Sequence, residues 1–169
     1  YLRHATSDYF KLVERGKLIS IELVVSNLNL DYDICKRQLA SANNTLVEAG
    51  VDEALITMQG NKLLGIGEGN TGYAIITHKV ENQLHQEVFT LLGEKRASAE
   101  KMGNRLAGLV KRYLFNTVAL VDEYLTDQLL LPLALSGGGE FTARTISQHT
   151  ETQAWLLEQF LPDKISFDN

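Results

Sequence analysis

The segment YLTDQLLLPLALSGGGEFT, residues 124–142, decides the fold of the second half of the chain. Its apolar run, followed by three glycines, predicts a helix from about Val121 to Ser136 that ends in a break at 137–139. A strand from Glu140 to Thr145 follows, and then a helix that starts near Thr150. The order helix, strand, helix indicates a domain that mixes both kinds of secondary structure.

The helix over residues 121–136 carries a polar cluster in its first turns. Pro132 has no amide hydrogen, so the carbonyl of Gln128 loses its helical partner and we expect a kink there. Glu123 and Asp127 lie one turn apart on one face, beside Gln128. A free carbonyl and two polar side chains could recognise a ligand. The alternative is that the acidic residues at the helix start, including Asp122, only cap it.

His149 stands between the predicted strand and Thr150-Glu151-Thr152-Gln153, which has the form of a capping box. This order predicts an imidazole at a helix start, where unpaired amide groups favour bound phosphate and disfavour protonation of the ring. A neutral imidazole beside a phosphate is a competent nucleophile. Histidines at helix starts also serve structural roles, and the residues alone leave both interpretations open.

The first half of the chain mixes strands and helices. Lys17–Asn27 is rich in β-branched residues and alternates apolar positions, which predicts a strand. A helix capped by Asp31 and ended by Gly50 follows it, and a later helix is capped by Ser98. Between them we predict strands at Ala54–Gln59 and Tyr73–His78, a long turn at Gly60–Gly72, and a segment at Val80–Leu92 that is ambiguous between helix and strand. The fold class is α+β or mixed α/β.

Two further motifs are weak indicators of function. Residues 67–72 match the GxGxxG pattern, but the predicted strand that follows stands where a dinucleotide-binding motif needs a helix. We therefore predict a hairpin or a loop there. His78 and His85 lack the i, i+4 spacing and the adjacent Glu of a helical zinc site, so we expect packing or surface roles for both.

Composition narrows the classes of function. A chain of 169 residues with 44% hydrophobic content can bury one good core or two small ones. The net charge of -5 argues against non-specific duplex binding. No apolar run approaches the roughly 20 residues of a membrane span, and no secretion signal is visible after Tyr1. Cys35 stands alone, which predicts a small core residue and fits a cytoplasmic location.

Residues 124–142 resemble the C-terminal signature of the RNA 3′-terminal phosphate cyclase family. In that family an Asp-Gln pair precedes a histidine by 21 residues, and Gln128 precedes His149 by the same distance. Upstream, Glu14-Arg15-Gly16 resembles the segment that leads into an insert domain in the family. Gly93-Glu94-Lys95, with Ala99-Glu100, resembles the end of that domain. The resemblance covers essentially the whole chain.

The resemblance implies an ATP-dependent enzyme that converts an RNA 3′-terminal phosphate into a 2′,3′-cyclic phosphate. His149 would attack the α-phosphorus of ATP to form a histidine-AMP intermediate, and the AMP would pass to the RNA 3′-phosphate. The neighbouring 2′-hydroxyl would then close the ring and release AMP. Mg²⁺ or Mn²⁺ would offset phosphate charge, with ligands that the sequence does not identify. The residues that the family pattern assigns to the adenylate are Tyr124, Leu125, Thr126, Asp127 and Gln128.

The resemblance also implies a division into domains. Residues 17–116 would form a small inserted α/β domain. Residues 1–16 and 117–169 would belong to a large domain of repeated sheet-and-two-helix units, as in enolpyruvyl transferases. The Gly-rich and Arg-containing N-terminal motifs of the family are absent from this sequence, so we expect an N-terminal half of the same protein to complete the phosphate and metal site.

An alternative function comes from another class of protein. A non-catalytic cyclase-like protein of ribosome assembly would use the same fold as an RNA-binding scaffold. Such a scaffold has little reason to retain a nucleophile, so His149 favours the enzyme. The partner expected for the enzyme is an RNA 3′-phosphate end. We expect no membrane association.

Overall fold

The computed structural model describes residues 9–81, 83–116, 119–162 and 165–168. The chain divides into two compact units. The continuous unit comprises Gly16–Thr117, and the split unit combines Tyr1–Arg15 with Val118–Asn169. Along the sequence, the continuous unit therefore separates the two segments of the split unit.

The described residues form six strands and four α-helices, a mixed arrangement that is compatible with the expected α+β class. The strands are β1 Phe10–Leu12, β2 Lys17–Leu28, β3 Ile56–Leu63, β4 Gly69–Val80, β5 Gln83–Leu92 and β6 Gly139–Phe141. The helices are α1 Tyr32–Glu48, α2 Ala99–Phe115, α3 Glu123–Leu135 and α4 Gln148–Phe160. Among the described helices, none is both long enough and apolar enough to cross a bilayer.

A four-stranded sheet in the order β3-β2-β4-β5 forms the continuous unit together with α1 and α2. β2 pairs in parallel with β3 and antiparallel with β4, and β4 pairs antiparallel with β5. Both helices pack on one face of the sheet. Burial of the apolar side chains between the helices and the sheet is the main contribution to the stability of this unit. This core includes Ile21, Leu23, Val25, Leu39, Leu46, Ala74, Ile76, Leu106, Val110 and Tyr113.

The prediction of one long turn over Gly60–Gly72 was wrong. Strands β3 and β4 extend into this segment and leave only residues 64–68 between them. Gly72 lies inside β4. A Cβ at this position would be 2.8 Å from Nε2 of Gln38 in α1, so a larger residue does not fit without a shift of that side chain. This glycine therefore reflects the close approach of a helix rather than a chain reversal. β4 begins at Gly69, inside the GxGxxG pattern, and no helix follows the pattern. The prediction of a hairpin or loop was therefore wrong for residues 69–72, which belong to the strand.

The ambiguous segment Val80–Leu92 contains β5. Its side chains alternate between the two faces of the sheet, with Glu87 and Phe89 buried and Val88 and Thr90 exposed. The alternation is that of a half-buried strand. The sequence is ambiguous because the charged Glu87 occupies a buried position, which interrupts the apolar pattern that identifies a strand.

Helices α1 and α2 come into contact at Gly103. A Cβ at this position would lie 2.3 Å from the carbonyl oxygen of Gln38, so a side chain does not fit there. Beside the contact, Oδ1 of Asn104 accepts hydrogen bonds from the hydroxyls of Ser41 at 2.7 Å and Thr45 at 2.8 Å. The close approach brings these polar groups within hydrogen-bonding distance.

We expect Gly103→Ala to lower the free energy of unfolding of the continuous unit by about 1–3 kcal/mol, because the added methyl group must push the helices apart. Gly108 provides a matched control, since it lies in the same helix and a Cβ there meets nothing within 4 Å. Gly108→Ala should raise stability by about 0.5–1 kcal/mol through helix propensity. Urea unfolding followed by circular dichroism measures both, and equal effects would contradict the packing argument.

Cys35 is fully buried in α1, which confirms the prediction of a small core residue. Burial raises the pKa of its thiol, and Sγ lies 3.6 Å from the carbonyl oxygen of Val25. The raised pKa keeps the group in the protonated form, which is a poor nucleophile. The environment is that of an inert structural cysteine.

We expect iodoacetamide at neutral pH to leave Cys35 unmodified in the native chain and to alkylate it in urea. Mass spectrometry of the intact chain measures the modification, and the single cysteine makes the result unambiguous. Because the thiol is both buried and protonated, the native rate should be limited by opening of the fold. Rapid alkylation without denaturant would contradict the burial of this residue.

The split unit contains a parallel two-stranded sheet of β1 and β6, with Phe10 beside Gly139 and Leu12 beside Phe141. β6 is shorter than the predicted strand Glu140–Thr145 and begins within the predicted glycine break. Gly139 is the first residue of this strand. A Cβ there would lie 2.6 Å from the carbonyl oxygen of Phe10, which is too close for any other residue. The glycine therefore permits the strand pairing.

Helices α3 and α4 pack together in the split unit. A small apolar core forms here from Leu130 of α3 and from Ala154 and Leu157 of α4, with Phe141 and Ile165 packed against them. Apolar residues of β6, of both helices and of the segment after α4 thus form one core. Its position makes α3 and α4 neighbours.

Helix α3 continues through Pro132 to its last residue, Leu135. The amide of Ser136 donates to the carbonyl oxygen of Pro132 at 3.1 Å, so hydrogen bonding resumes after the proline. Pro132 therefore does not end the helix, and the kink stays a prediction.

Candidate active site

Three extended segments of the split unit run side by side in the same direction. The amide of Thr142 donates to the carbonyl oxygen of Leu12 at 3.1 Å and continues the pairing of β1 with β6. On its other side, the carbonyl oxygen of Thr142 accepts from the amide of Val121 at 3.1 Å. The amide of Arg144 then donates to the carbonyl oxygen of Val121 at 2.9 Å, around a parallel bridge between Val121 and Ala143. We call residues 12–13, 120–122 and 142–144 the parallel layer.

The side chain of Thr142 joins the two outer segments of the parallel layer. Its Oγ1 donates to the carbonyl oxygen of Val13 at 3.3 Å and accepts from the amide of Leu120 at 3.3 Å. Helix α3 begins directly after one outer segment, and α4 begins shortly after the segment that contains Thr142. One residue therefore fixes the start of α3 relative to the segment that leads into α4.

Asp122 is the residue before α3, and it is buried. Its carboxylate makes no capping hydrogen bond to the helix. Instead, Oδ1 accepts a hydrogen bond from Nε of Arg144 at 2.6 Å. The interpretation of Asp122 as an ordinary capping residue was therefore wrong, because its side chain pairs with the neighbouring segment of the parallel layer.

Helix α4 begins at Gln148, with Ser147 as its N-cap. Oγ of Ser147 accepts from the amide of Thr150 at 3.2 Å, and Thr150 itself is fully buried. The predicted capping box that starts at Thr150 was therefore wrong, since the cap lies three residues earlier. His149 is the second residue of the first turn, and it is exposed. The histidine thus lies within the helix start rather than before it.

The five residues that the family pattern assigns to the adenylate occupy the first turns of α3. Tyr124 is 77% exposed and Gln128 is also exposed, whereas Leu125 and Asp127 are half-buried. Thr126 is only 1% exposed, and its hydroxyl donates to the main-chain carbonyl one turn earlier at 2.9 Å. The aromatic and polar side chains with surface available to a ligand are therefore those of Tyr124, Asp127 and Gln128.

The helix that carries Asp127 and Gln128 and the helix that carries His149 are packed neighbours. Both helices start after the carboxyl ends of segments of the parallel layer. First-turn amide groups lack partners within their own helix, so helix starts at the carboxyl ends of parallel strands commonly bind anions. This placement is compatible with a single site that uses both motifs.

The other two histidines considered in the sequence lie in the continuous unit. His78 and His85 face each other across β4 and β5. His78 is buried, and its ring packs edge-on against that of Tyr113 with 5.7 Å between the ring centroids. Nε2 of His85 lies 3.7 Å from Oε2 of Glu87. Across the ranges that the structure describes, no three His, Cys, Asp or Glu side chains form a metal-binding group.

Sequence reasoning missed Thr142 and Arg144. Both lie in or beside a short strand, where a polar side chain ordinarily faces solvent. The only sequence feature that pointed to this ion pair was a basic residue in the predicted strand together with an acidic residue before α3. These two residues, Arg144 and Asp122, are 22 positions apart, and no periodicity relates them.

The fold is a mixed arrangement of strands and helices, and it presents an exposed histidine in the first turn of α4. The model of the family described as RNA 3′-terminal phosphate cyclase matches residues 10–167. The chain therefore belongs to the RNA 3′-terminal phosphate cyclase family. The resemblance first seen in residues 124–142 is confirmed at the level of the family. Membership indicates an enzyme of the cyclase and ligase type that acts on RNA.

We expect Arg144→Met to lower the free energy of unfolding of the split unit by about 1–3 kcal/mol, because it leaves the buried Asp122 carboxylate without its guanidinium. Asp122→Asn should cost less, about 1 kcal/mol, since the arginine side chain is 32% exposed and can be hydrated. The single tryptophan, Trp155, lies in α4 and reports on this unit by fluorescence during urea unfolding.

Lys11→Met is the control for this pair of variants. It removes an exposed ion pair with Glu140, at 2.7 Å, between the two strands of the same unit. Exposed pairs contribute little because both ions remain hydrated, so no measurable change is expected. Equal losses from Arg144→Met and Lys11→Met would contradict a special role for the ion pair of the buried Asp122 carboxylate.

Proposed function

We propose that this protein converts an RNA 3′-terminal phosphate into a 2′,3′-cyclic phosphate at the expense of ATP, through a histidine-AMP intermediate at His149 and an RNA-adenylate. The observation that carries the proposal is the exposed imidazole in the first turn of α4, in a chain of the cyclase family. A nucleophile must be reachable by the α-phosphorus of a nucleotide, and an exposed side chain at a helix start meets this requirement.

The start of α4 supports phosphate binding beside His149. The first turn of a helix presents amide groups and about half a positive charge. This partial charge attracts the triphosphate of ATP, and the lone pair of an imidazole nitrogen beside it can attack phosphorus. Ser147 and Thr150 hold the turn in shape through their hydrogen bond, and neither needs to touch the substrate.

The chemistry proceeds in three displacements. A ring nitrogen of His149 attacks the α-phosphorus, the bond to the bridging oxygen breaks, and pyrophosphate leaves. An oxygen of the RNA 3′-phosphate then attacks the phosphorus of the AMP group, and the electron pair of the phosphorus–nitrogen bond returns to the imidazole. Finally the 2′-hydroxyl, as it loses its proton, attacks the terminal phosphorus of the RNA and AMP leaves with the bridging oxygen.

Residues Tyr124–Gln128 at the start of α3 would hold the adenylate. Tyr124 offers an exposed ring that can pack against a base, and Asp127 and Gln128 offer hydrogen-bonding groups on the adjacent surface. Leu125 and Thr126 would act indirectly, because their side chains lie partly or fully inside the protein and maintain the helix.

A divalent cation, Mg²⁺ or Mn²⁺, would offset the negative charge of the phosphates during transfer. The described part of the chain holds no group of three candidate ligands. These residues alone therefore do not fit a complete cation site, and we assign no ligand and no step to the metal.

The two compact units correspond in this proposal to two domains of the family. The continuous unit would be the small inserted α/β domain. The split unit would be part of the large domain with repeated sheet-and-two-helix units, related in architecture to enolpyruvyl transferases. An N-terminal half of the same protein would supply the remaining phosphate-binding and metal-binding groups, and the RNA 3′-phosphate end would be the substrate.

The test is adenylation of the full-length gene product with α-labelled ATP and Mg²⁺ in the absence of RNA. We expect acid-labile, alkali-stable AMP attached at His149, located by mass spectrometry. His149→Ala should abolish labelling and leave the circular dichroism spectrum and thermal unfolding unchanged, because an exposed side chain contributes little to a core.

Gln159→Ala is the matched control, since it changes an exposed residue in the same helix, far from its start. This variant should be labelled like the parent protein. Labelling that persists in His149→Ala, or a folded parent protein that is never labelled, would refute the covalent mechanism. The second result would also point to a non-catalytic RNA-binding role.

A further inference from the structure

β5 is an edge strand of the sheet in the continuous unit. It pairs with β4 on one side, and in the described part of the chain no strand pairs with its other side. On the sheet face away from α1 and α2, five exposed side chains alternate between apolar and polar along the strand. We call Leu84, Gln86, Val88, Thr90 and Leu92 the β5 stripe, whose apolar members are 67%, 51% and 70% exposed in that order.

The β5 stripe lacks the devices that usually prevent edge strands from pairing. Such edges ordinarily carry a lysine, another charged side chain or a proline. β5 contains no proline, and its two titratable residues, His85 and Glu87, lie on the helix-covered face. The opposite edge strand, β3, carries Lys62 near its end. The outer face of β5 is therefore an uncharged surface along an edge with which no other described strand pairs.

The geometry points to a second copy of this chain as the partner, paired antiparallel along β5 about a two-fold axis at Val88. In this register Val88 meets Val88 of the second copy, Leu84 meets Leu92, and Gln86 meets Thr90. Every apolar residue of the stripe then faces an apolar residue, and each polar residue faces a polar one. The two four-stranded sheets would join into one continuous sheet through a self-complementary interface.

The pattern of the stripe selects this register over its neighbours. A slip of two residues would place Gln86 opposite Val88 or Leu92, which sets an amide against an apolar side chain. A slip of one residue would set stripe residues opposite residues of the helix-covered face. A slip of four residues preserves the pattern but leaves part of the stripe unpaired. The centred register alone pairs all five residues, and a sequence that is complementary to itself favours a second copy over an unrelated strand.

Sedimentation equilibrium of the full chain tests the proposal. We expect a reversible monomer–dimer equilibrium, and Val88→Lys should raise its dissociation constant at least tenfold because two lysines would meet at the two-fold axis. Thr57→Lys is the matched control, since it adds the same charge at an exposed position on the other edge strand, β3. The control should dimerise like the parent, and circular dichroism should show both variants folded.

Two results of this experiment would overturn the proposal. One is a parent chain that stays monomeric up to its solubility limit. The other is a dimer that Val88→Lys and Thr57→Lys affect equally, because the contact would then lie elsewhere.

A charge-swapped pair of variants tests the register independently of the labelling assay. Positions 86 and 90 lie four residues apart on one strand, about 13 Å, which is too far for a direct ion pair within one copy. The proposed register brings each next to the other position of the second copy. The double variant Gln86→Lys with Thr90→Glu should therefore dimerise at least tenfold more tightly, at low salt, than Gln86→Lys with Thr90→Lys. Equal dissociation constants would overturn the proposed pairing.

Discussion

The hydrogen bonds around Thr142 close the split unit. Its hydroxyl donates to the carbonyl oxygen of Val13, which is 129 positions away in the sequence, with the whole continuous unit between them. The same residue pairs through its main chain with Leu12 and Val121, so three separate segments are fixed in one parallel layer. Helices α3 and α4 start from this layer, and the small apolar core around Leu130 then holds them together. Because that core is small, directional hydrogen bonds carry much of the specification of this unit.

The continuous unit is specified differently. A larger apolar core between the sheet and two helices supplies most of its stability, but apolar contact is not directional and does not by itself select one arrangement. Buried amide groups and glycines restrict the choice. Nδ2 of Asn70 donates both to Oδ1 of Asn27 at 2.7 Å and to Oε1 of Gln38 at 3.0 Å, which ties two strands to α1. Gly72 and Gly103 admit the helix at the distance that these bonds require.

In the candidate active site, the groups that support the structure are separate from the groups that meet the substrate in our proposal. Thr126 and Asp122 are buried, and Arg144 is paired with Asp122, so these residues are occupied by the fold. His149 and Tyr124 are exposed near the starts of α4 and α3, and both helices follow segments of the parallel layer. This separation explains why loss of the exposed histidine should remove chemistry without loss of stability, whereas loss of the Asp122–Arg144 ion pair should lower stability.

The sequence by itself determined the mixed class of the fold, the strand β2, the helices α1, α2 and α3, and the membership in the family, because periodicity, capping residues and motif spacing are local properties. Only the tertiary structure decided that Gly72 lies in a strand, that Ser147 caps α4, and that Asp122 pairs with Arg144. Each of these depends on which group approaches from a distant part of the chain. The sequence pattern suggests a turn at Gly72, and only the structure shows that a helix side chain occupies the space beside it. Likewise, an acid before a helix suggests a cap, and only the structure shows that Arg144 pairs with it. Local patterns therefore specify the elements, and long-range steric and electrostatic contacts specify how their ends are used.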